Sequence, residues 1–181
     1  MNTETSGAPG ETVERCVVYT SKVINVRQDT VIFHDGSTRT RDVVEYPDAV
    51  AMVAVDENDD LLLVRQYRHA PAAELLEIPA GGIDAGETPE DAVRREMQEE
   101  TGYFPERVER LTSFYSAPGY STEVLHVFLA ADLKPARLVA EDTDEITLVR
   151  ASRAEVTRMI SGGTIRDGKS IAGLLFYLNL R

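Results

Sequence analysis

The stretch Thr88–Gly102, TPEDAVRREMQEETG, carries its own start and stop signals. Thr88 fits a helix N-cap, and Pro89 fits the first helical position, where a missing N–H costs nothing. Asp91, three residues after Thr88, predicts a capping box with Asp in place of the usual Glu or Gln. Gly102 fits the left-handed C-cap. The spacing therefore predicts a helix over Pro89–Thr101. At about 100° per residue, Glu96, Glu99 and Glu100 share one face of it. Val93 and Met97 lie beside that face, so the three carboxylates border the buried stripe. Like charges at this spacing repel by a few tenths of a kcal/mol per pair, and Arg95 can offset part of this by reaching Glu99, four residues on.

The elements around this helix predict a layered domain. Two apolar strands, Ala49–Val55 and Leu61–Gln66, flank the polar turn DENDD and read as a central hairpin. ELLEIPAGG adds a short strand and a Gly-rich turn. Strands are expected at Val108–Tyr115, Val124–Ala131 and Ile146–Arg150, and helices at Arg153–Ser161 and Ser170–Leu180. Upstream, RCVVYTSKVINVR, TVIFHDGST and TRTRDVVEY are β-type runs, and HDGS carries an Asp-Gly hairpin signal. The expected fold class is α+β, as an α/β/α sandwich: a mixed, mostly antiparallel sheet between helices, plus a small N-terminal antiparallel β unit. The expected organisation is a flexible tail over residues 1–12, the β unit over 13–47 and the main domain over 48–181. The β unit has little apolar content to bury alone and is expected to pack on a neighbour or a second subunit.

Composition narrows the function. The 181 residues include 31 acidic and 19 basic side chains, a net charge of −12. A nucleic-acid scaffold would be basic, and an anionic membrane surface would repel this chain. The single cysteine, Cys16, allows no intrachain disulfide and no Cys-based zinc site. His34, His69 and His126 lack a metal-ligand spacing. No run approaches the roughly 20 apolar residues of a membrane span, and the N-terminus has no signal-peptide pattern. A cytoplasmic location is the expectation.

A solvated charged face is the ordinary fate of an acidic helix. Here three hard oxygen donors sit on one rigid face, beside the core and next to a Gly-rich turn. That donor set suits Mg²⁺ or Mn²⁺, and a divalent cation would reverse the local repulsion.

The whole stretch Gly81–Tyr103 resembles the Nudix box, G-x5-E-x7-R-E-U-x-E-E-x-G-U, where U is a bulky apolar residue. Gly81, Glu87, Arg95, Glu96, Met97, Glu99, Glu100 and Gly102 fall on it. Tyr103 stands at the last U, which is usually aliphatic. The resemblance implies a Nudix fold and hydrolysis of a nucleoside diphosphate linked to another moiety, with Mg²⁺ or Mn²⁺. By that resemblance Glu96, Glu99 and Glu100 ligate or orient metal, Arg95 holds the glutamates, and Glu87 supports the site or its loop.

Outside the box, VRQYRHA, ELLEIPAGGID and SAPGYSTEV are similar to the ADP-ribose pyrophosphatase branch. Pro118 matches its marker proline. The likeness implies the Ala80 carbonyl as a metal ligand, and Arg68, with Arg41 as a second arginine, at the substrate. Glu77 and Gly81, in the same Gly-rich stretch, join them. Glu123 would lie near the diphosphate. The acidic loop AEDTDEI resembles one that supplies a catalytic carboxylate, with Asp142 or Glu141 as base and Asp144 within reach of metal. The implied reaction is water attack on phosphorus, giving AMP and ribose 5-phosphate from a small-molecule substrate, ADP-ribose. An ADP-sugar, GDP-mannose, an oxidised nucleotide or NADH are the alternative substrates, and a non-catalytic ligand sensor is the alternative class. Relatives of this kind are homodimers.

Overall fold

A computed structural model of the chain describes residues 10–138 and 146–180. They divide into two compact units: the chain up to Pro47 together with Tyr115–Glu123, and Asp48–Phe114 together with Val124 onward.

The first unit is a three-stranded antiparallel sheet in the order β1 (Thr12–Thr20), β2 (Asn25–Ile32), β3 (Thr38–Glu45). The run RCVVYTSKVINVR does not continue as one strand. Ser21 breaks it, because its Oγ accepts the amides of Val23 and Ile24 at 3.3 and 3.0 Å and offers the backbone a turn instead of a ladder. The HDGS hairpin forms as expected. Asp35 Oδ1 accepts the Ser37 amide at 3.0 Å, and Gly36 supplies the left-handed conformation at φ 76°. Tyr115–Glu123 joins this unit through Val44, whose amide donates to Tyr120 O at 2.7 Å and whose carbonyl accepts from Thr122 at 3.0 Å.

The second unit is a mixed sheet with strand order β10-β5-β4-β9-β8. Its strands are β4 (Ala49–Val55), β5 (Leu61–Arg68), β8 (Tyr103–Tyr115), β9 (Val124–Pro135) and β10 (Thr147–Ala151), with short β6 (Ala73–Glu77) and β7 (Ala80–Gly82). β4 is buried on both faces. Val50, Met52 and Ala54 pack with Ala92, Val93 and Met97 of the helical stretch, whereas Ala51, Val53 and Val55 share a cluster with Val156, Leu174 and Tyr177. Val156 lies on α2 (Arg153–Ser161), and Leu174 and Tyr177 lie on α3 (Gly168–Leu180). Alternate side chains point to opposite faces of a strand, so one run of apolar residues serves two helical layers. The result is the expected α/β/α sandwich.

The central hairpin is splayed. β4 pairs with β5 only at Ala54–Val55. Its first half pairs with β7 at Ala49–Ala51 and in parallel with β9, and the far end of β5 pairs with β6. β6 and β7 thus occupy the opening between two strands. That opening brings the Gly-rich turn to the middle of the sheet. Among the described residues, no helix is long and apolar enough to cross a membrane.

Candidate active site

The capped helix forms where the sequence places it, in two parts. α1 runs Pro89–Glu96, and a single π-turn, Met97–Thr101, continues it to Gly102 at φ 79°. Thr88 Oγ1 accepts the Asp91 amide at 3.2 Å, as an N-cap should. The reciprocal half of the capping box is missing. The short Asp91 carboxylate accepts the Thr88 hydroxyl at 2.6 Å, not the Thr88 backbone amide.

Arg95 is the hub of the helix face. Its Nε and Nη2 grip the two Glu87 oxygens at 3.0 and 2.8 Å. Nη1 donates to Glu96 at 2.6 Å and to Glu99 at 3.3 Å, and Nη2 also reaches the Gly82 carbonyl at 2.8 Å. One guanidinium therefore joins three carboxylates to the Gly-rich turn. The bidentate pair lowers the Glu87 carboxyl below its usual range, and it keeps Arg95 charged.

Glu96 and Glu100 seat on consecutive residues of β7. Glu100 Oε2 accepts the Ala80 amide at 3.0 Å. Glu96 lies against Gly81 so closely that a Cβ there would overlap its carboxylate. Both carboxyls are pushed upward, chiefly by burial, and Glu100 reaches about 8. The Glu96 charge adds to the rise at Glu100, while its bond to the Ala80 amide and the cations of Arg68 and Lys169 oppose it.

A second charged cluster adjoins. Glu77 is 1 % exposed. The Arg68 fork holds it at 3.1 and 2.7 Å, and Lys169 Nζ donates to it as well. Lys169 also reaches Asp167 at 2.9 Å. Burial opposes the Glu77 charge, yet these cations outweigh it and hold the carboxyl below the usual glutamate range. Asp167 caps α3 by accepting the Ser170 amide at 3.1 Å, and Ser170 Oγ accepts the Ile78 amide at 2.8 Å. The start of α3 is thereby fastened beside Glu77.

Ala80, Gly81, Glu87, Arg95, Glu96, Glu99 and Glu100 are brought together, and Arg68 lies within electrostatic reach of Glu100. Arg41, Pro118 and Glu123 belong to the first unit. There the Arg41 guanidinium stands 4.8 Å from the Phe33 ring centre. Pro118 lies in a turn closed by bonds to Ala117 O, and Glu123 O accepts the Ser116 amide at 3.2 Å. Glu141, Asp142 and Asp144 lie outside the described residues. Sequence reasoning does not single out Lys169 and Asp167. An Asp before Gly-Lys-Ser at a helix start is a capping signal, but their link to Glu77 spans the chain.

Among the described residues, no three Asp, Glu, His or Cys side chains are already gathered around one ion-sized point. The glutamates are shared out between Arg95 and the Ala80 amide. Their chemistry nevertheless fits a hard divalent cation, since Glu96 and Glu100 are half-buried oxygen donors in an excess of negative charge.

A NUDIX domain model matches residues 45–173. The chain is 32% identical over 173 residues to the ADP-ribose pyrophosphatase of Bacillus subtilis (strain 168), covering 94% of this chain and 93% of that protein. It is 34% identical over 153 residues to the GDP-mannose pyrophosphatase of Yersinia enterocolitica serotype O:8 / biotype 1B, covering 77% and 80%. The crystal structure of an ADP compounds hydrolase superposes with a TM-score of 0.87 over 96% of this chain and 94% of that one. At 23% identity it establishes the shared fold.

Proposed function

Because this chain belongs to the Nudix family of hydrolases, we propose that it hydrolyses the diphosphate of ADP-ribose to AMP and ribose 5-phosphate. The observation that carries this reading is the corner at β7. Two half-buried carboxylates, Glu96 and Glu100, rest on consecutive backbone positions, and the Arg68 charge reaches Glu100. A diphosphate repels a nucleophile, so its hydrolysis needs carboxylates that can hold a cation and a fixed positive charge for the remaining phosphate oxygens.

Glu96, Glu99, Glu100 and the Ala80 carbonyl would hold Mg²⁺ or Mn²⁺. Bound there, the cation would supply Lewis-acid neutralisation of the diphosphate. Arg95 keeps Glu96 and Glu99 in place and anchors them through Glu87. Arg68 binds phosphate, and Arg41 is its companion. Glu77 acts on the substrate through the cations that it holds. Gly81 leaves room for Glu96, and Pro118 shapes the substrate loop. The proton of the attacking water goes to a carboxylate drawn from Glu123, Glu141 and Asp142, with Asp144 as a further metal donor. The exposed apolar side chains Val17, Val18 and Tyr19 of β1 support association of two copies into a homodimer. The lack of a spanning helix among the described residues is compatible with a cytoplasmic enzyme.

The B. subtilis relative aligns along nearly the whole chain, which favours ADP-ribose. The Y. enterocolitica relative supports GDP-mannose as the second reading. A panel of nucleoside diphosphate derivatives, assayed with Mg²⁺ and with Mn²⁺ for phosphate-bearing products, separates them. We expect kcat/KM for ADP-ribose to exceed that for GDP-mannose by at least about 10-fold, roughly 1.4 kcal/mol of discrimination. Equal values would defeat the narrow assignment.

A further inference from the structure

The helix changes form immediately after Glu96. Two local features act at this end of the helix: Gly102, in the left-handed conformation, turns its amide back to both Gln98 O and Met97 O, and the Thr101 hydroxyl donates to Met97 O at 2.5 Å. A further set of bonds comes from outside the helix.

Residues 136–138 supply it. Gln98 Nε2 donates to Ala136 O at 3.1 Å, and the Leu138 amide donates back to Gln98 O at 3.3 Å. The Ala136 amide donates to Gly102 O at 2.9 Å. The Gly102 amide, in turn, is directed to both Gln98 O and Met97 O. The Met97 contact spans five residues and defines the π-turn. In a regular α-helix the Gln98 carbonyl serves one amide, four residues on. Here it serves two, one of them from another segment. The clasp thus competes for the hydrogen bonds that set the helical pitch, and it does so between Glu96 and Glu100.

We propose that Gln98 is a positioning residue whose clasp on residues 136–138 holds the π-turn and thereby sets the phase at which Glu99 and Glu100 face β7. The Gln98 side chain bonds to Ala136 O, away from the two glutamates, and acts through the backbone that carries them. In the pattern R-E-U-x-E-E, Gln98 occupies the unspecified position. The π-turn ends the helix at Gly102 and carries Glu99 and Glu100 of the carboxylate face.

This inference rests on the divalent-cation reading of the site for its functional consequence, though not for its structural one. The test compares the wild-type chain with Gln98→Met, which keeps length but loses the donor, and with Leu138→Pro, which removes the other donor without altering the helix. Three readouts are taken: amide hydrogen exchange at Gly102, Mn²⁺ affinity by EPR titration, and kcat and KM on ADP-ribose. We expect faster exchange at Gly102 in both variants, Mn²⁺ binding about 10-fold weaker, kcat lowered to a similar degree, and KM nearly unchanged. Gln98→Lys, which restores a donor, should recover slow exchange at Gly102. Unchanged exchange and unchanged Mn²⁺ affinity in both variants would overturn the proposal. So would a loss of affinity that only tracks a lowered Tm. If the wild-type chain itself binds no Mn²⁺, the cation reading fails, and Gly102 exchange alone decides whether the clasp holds the turn. If Gln98→Met does not fold, the same readouts on Leu138→Pro decide between the two outcomes.

Discussion

Glu77 is buried and Glu100 half-buried in the same unit, and their carboxyls are driven in opposite directions. Burial opposes the charge of each. Glu77 has the Arg68 fork and Lys169 on its two oxygens, and its carboxyl falls below the usual range. Glu100 has a single backbone amide and only distant help from the same cations, and it rises to about 8. One carboxylate comes with its cations built into the chain. The other has none on its oxygens, which is why we propose that it meets a cation from outside.

Removing the unpartnered charge should separate activity from stability most sharply. Glu100→Gln preserves size and an acceptor for the Ala80 amide. We expect kcat on ADP-ribose to fall on the order of 10²–10³-fold, with Tm at pH 8 equal to or above that of the wild type. A variant with near-normal turnover would remove Glu100 from the reaction. A variant with a collapsed Tm would show that Glu100 resembles Glu77 after all.

The reverse is expected on the other side. Glu77→Leu takes the carboxylate from Arg68 and leaves Lys169 with Asp167 alone; breaking a buried pair from one side typically costs about 3–5 kcal/mol, and the low end applies here because Arg68 is partly exposed. Urea unfolding followed by circular dichroism should show a loss of this size. Gln in the same place should recover part of it by accepting from both cations. If Glu77→Leu unfolds at the wild-type urea midpoint, the network carries no stability.

One of these two carboxylates is much easier to read from the sequence than the other. Glu100 is legible because the helix that bears it is local: Thr88, Pro89 and Gly102 mark its ends, and a fixed rotation places its glutamates on one face. The caps are formed by those residues. The Gly102 cap that closes the π-turn is legible too, but the Ala136 and Leu138 groups that bond to it arrive from another part of the chain. Glu77 can be suspected of burial from Leu76 and Ile78 on either side. Its partner Lys169 cannot, since 92 positions separate them. The same distinction runs through the fold. The β4 and β5 strands are evident from their apolar runs, but the insertion of β6 and β7 between them depends on pairings over the whole unit. The join of Tyr115–Glu123 to Val44 likewise has no local signal. In the first unit, the Asp-Gly turn is readable, whereas the Ser21 break inside an otherwise β-like run is not.

The two carboxylates should also leave opposite marks on the pH dependence of folding. For Glu100, the folded chain holds its proton up to about 8, whereas an unfolded glutamate releases it near 4.5. The folded state then binds more protons between these values, so stability is fully present below the lower one and is lost as pH rises toward the upper one. Glu96 shifts the same way. Glu77 has the opposite sign: its contribution is present above the unfolded value and is lost as acid titrates the folded carboxyl. Metal-free protein should therefore lose stability between pH 5 and pH 8, by roughly a few kcal/mol. Saturating Mg²⁺ should flatten or reverse that slope, because it binds the ionised form. Thermal melts in EDTA and in Mg²⁺ across this range provide the check. A flat EDTA profile would mean that Glu100 ionises as easily as an exposed glutamate.

The smallest effect tests how closely the carboxylates at β7 must be held. Gly81 has a backbone that an alanine could adopt, since it is not among the glycines with positive φ. Its only constraint is space. An added Cβ would overlap the Glu96 carboxyl group, which is the far end of a side chain and can move away. Moving costs little folding energy, but it displaces the carboxylate from its place beside Glu100 and loosens its bond to Arg95. Gly81→Ala should therefore leave Tm within a few degrees of the wild type while weakening Mn²⁺ binding about 10-fold, the size expected for a change that reorients a ligand without removing it. Gly82, one residue on, has nothing within 4 Å of an added Cβ, so Gly82→Ala serves as the control and should bind Mn²⁺ as the wild type does. Equal affinities for the two variants would show that the position of Glu96 is set by its bond to Arg95 and not by contact with β7.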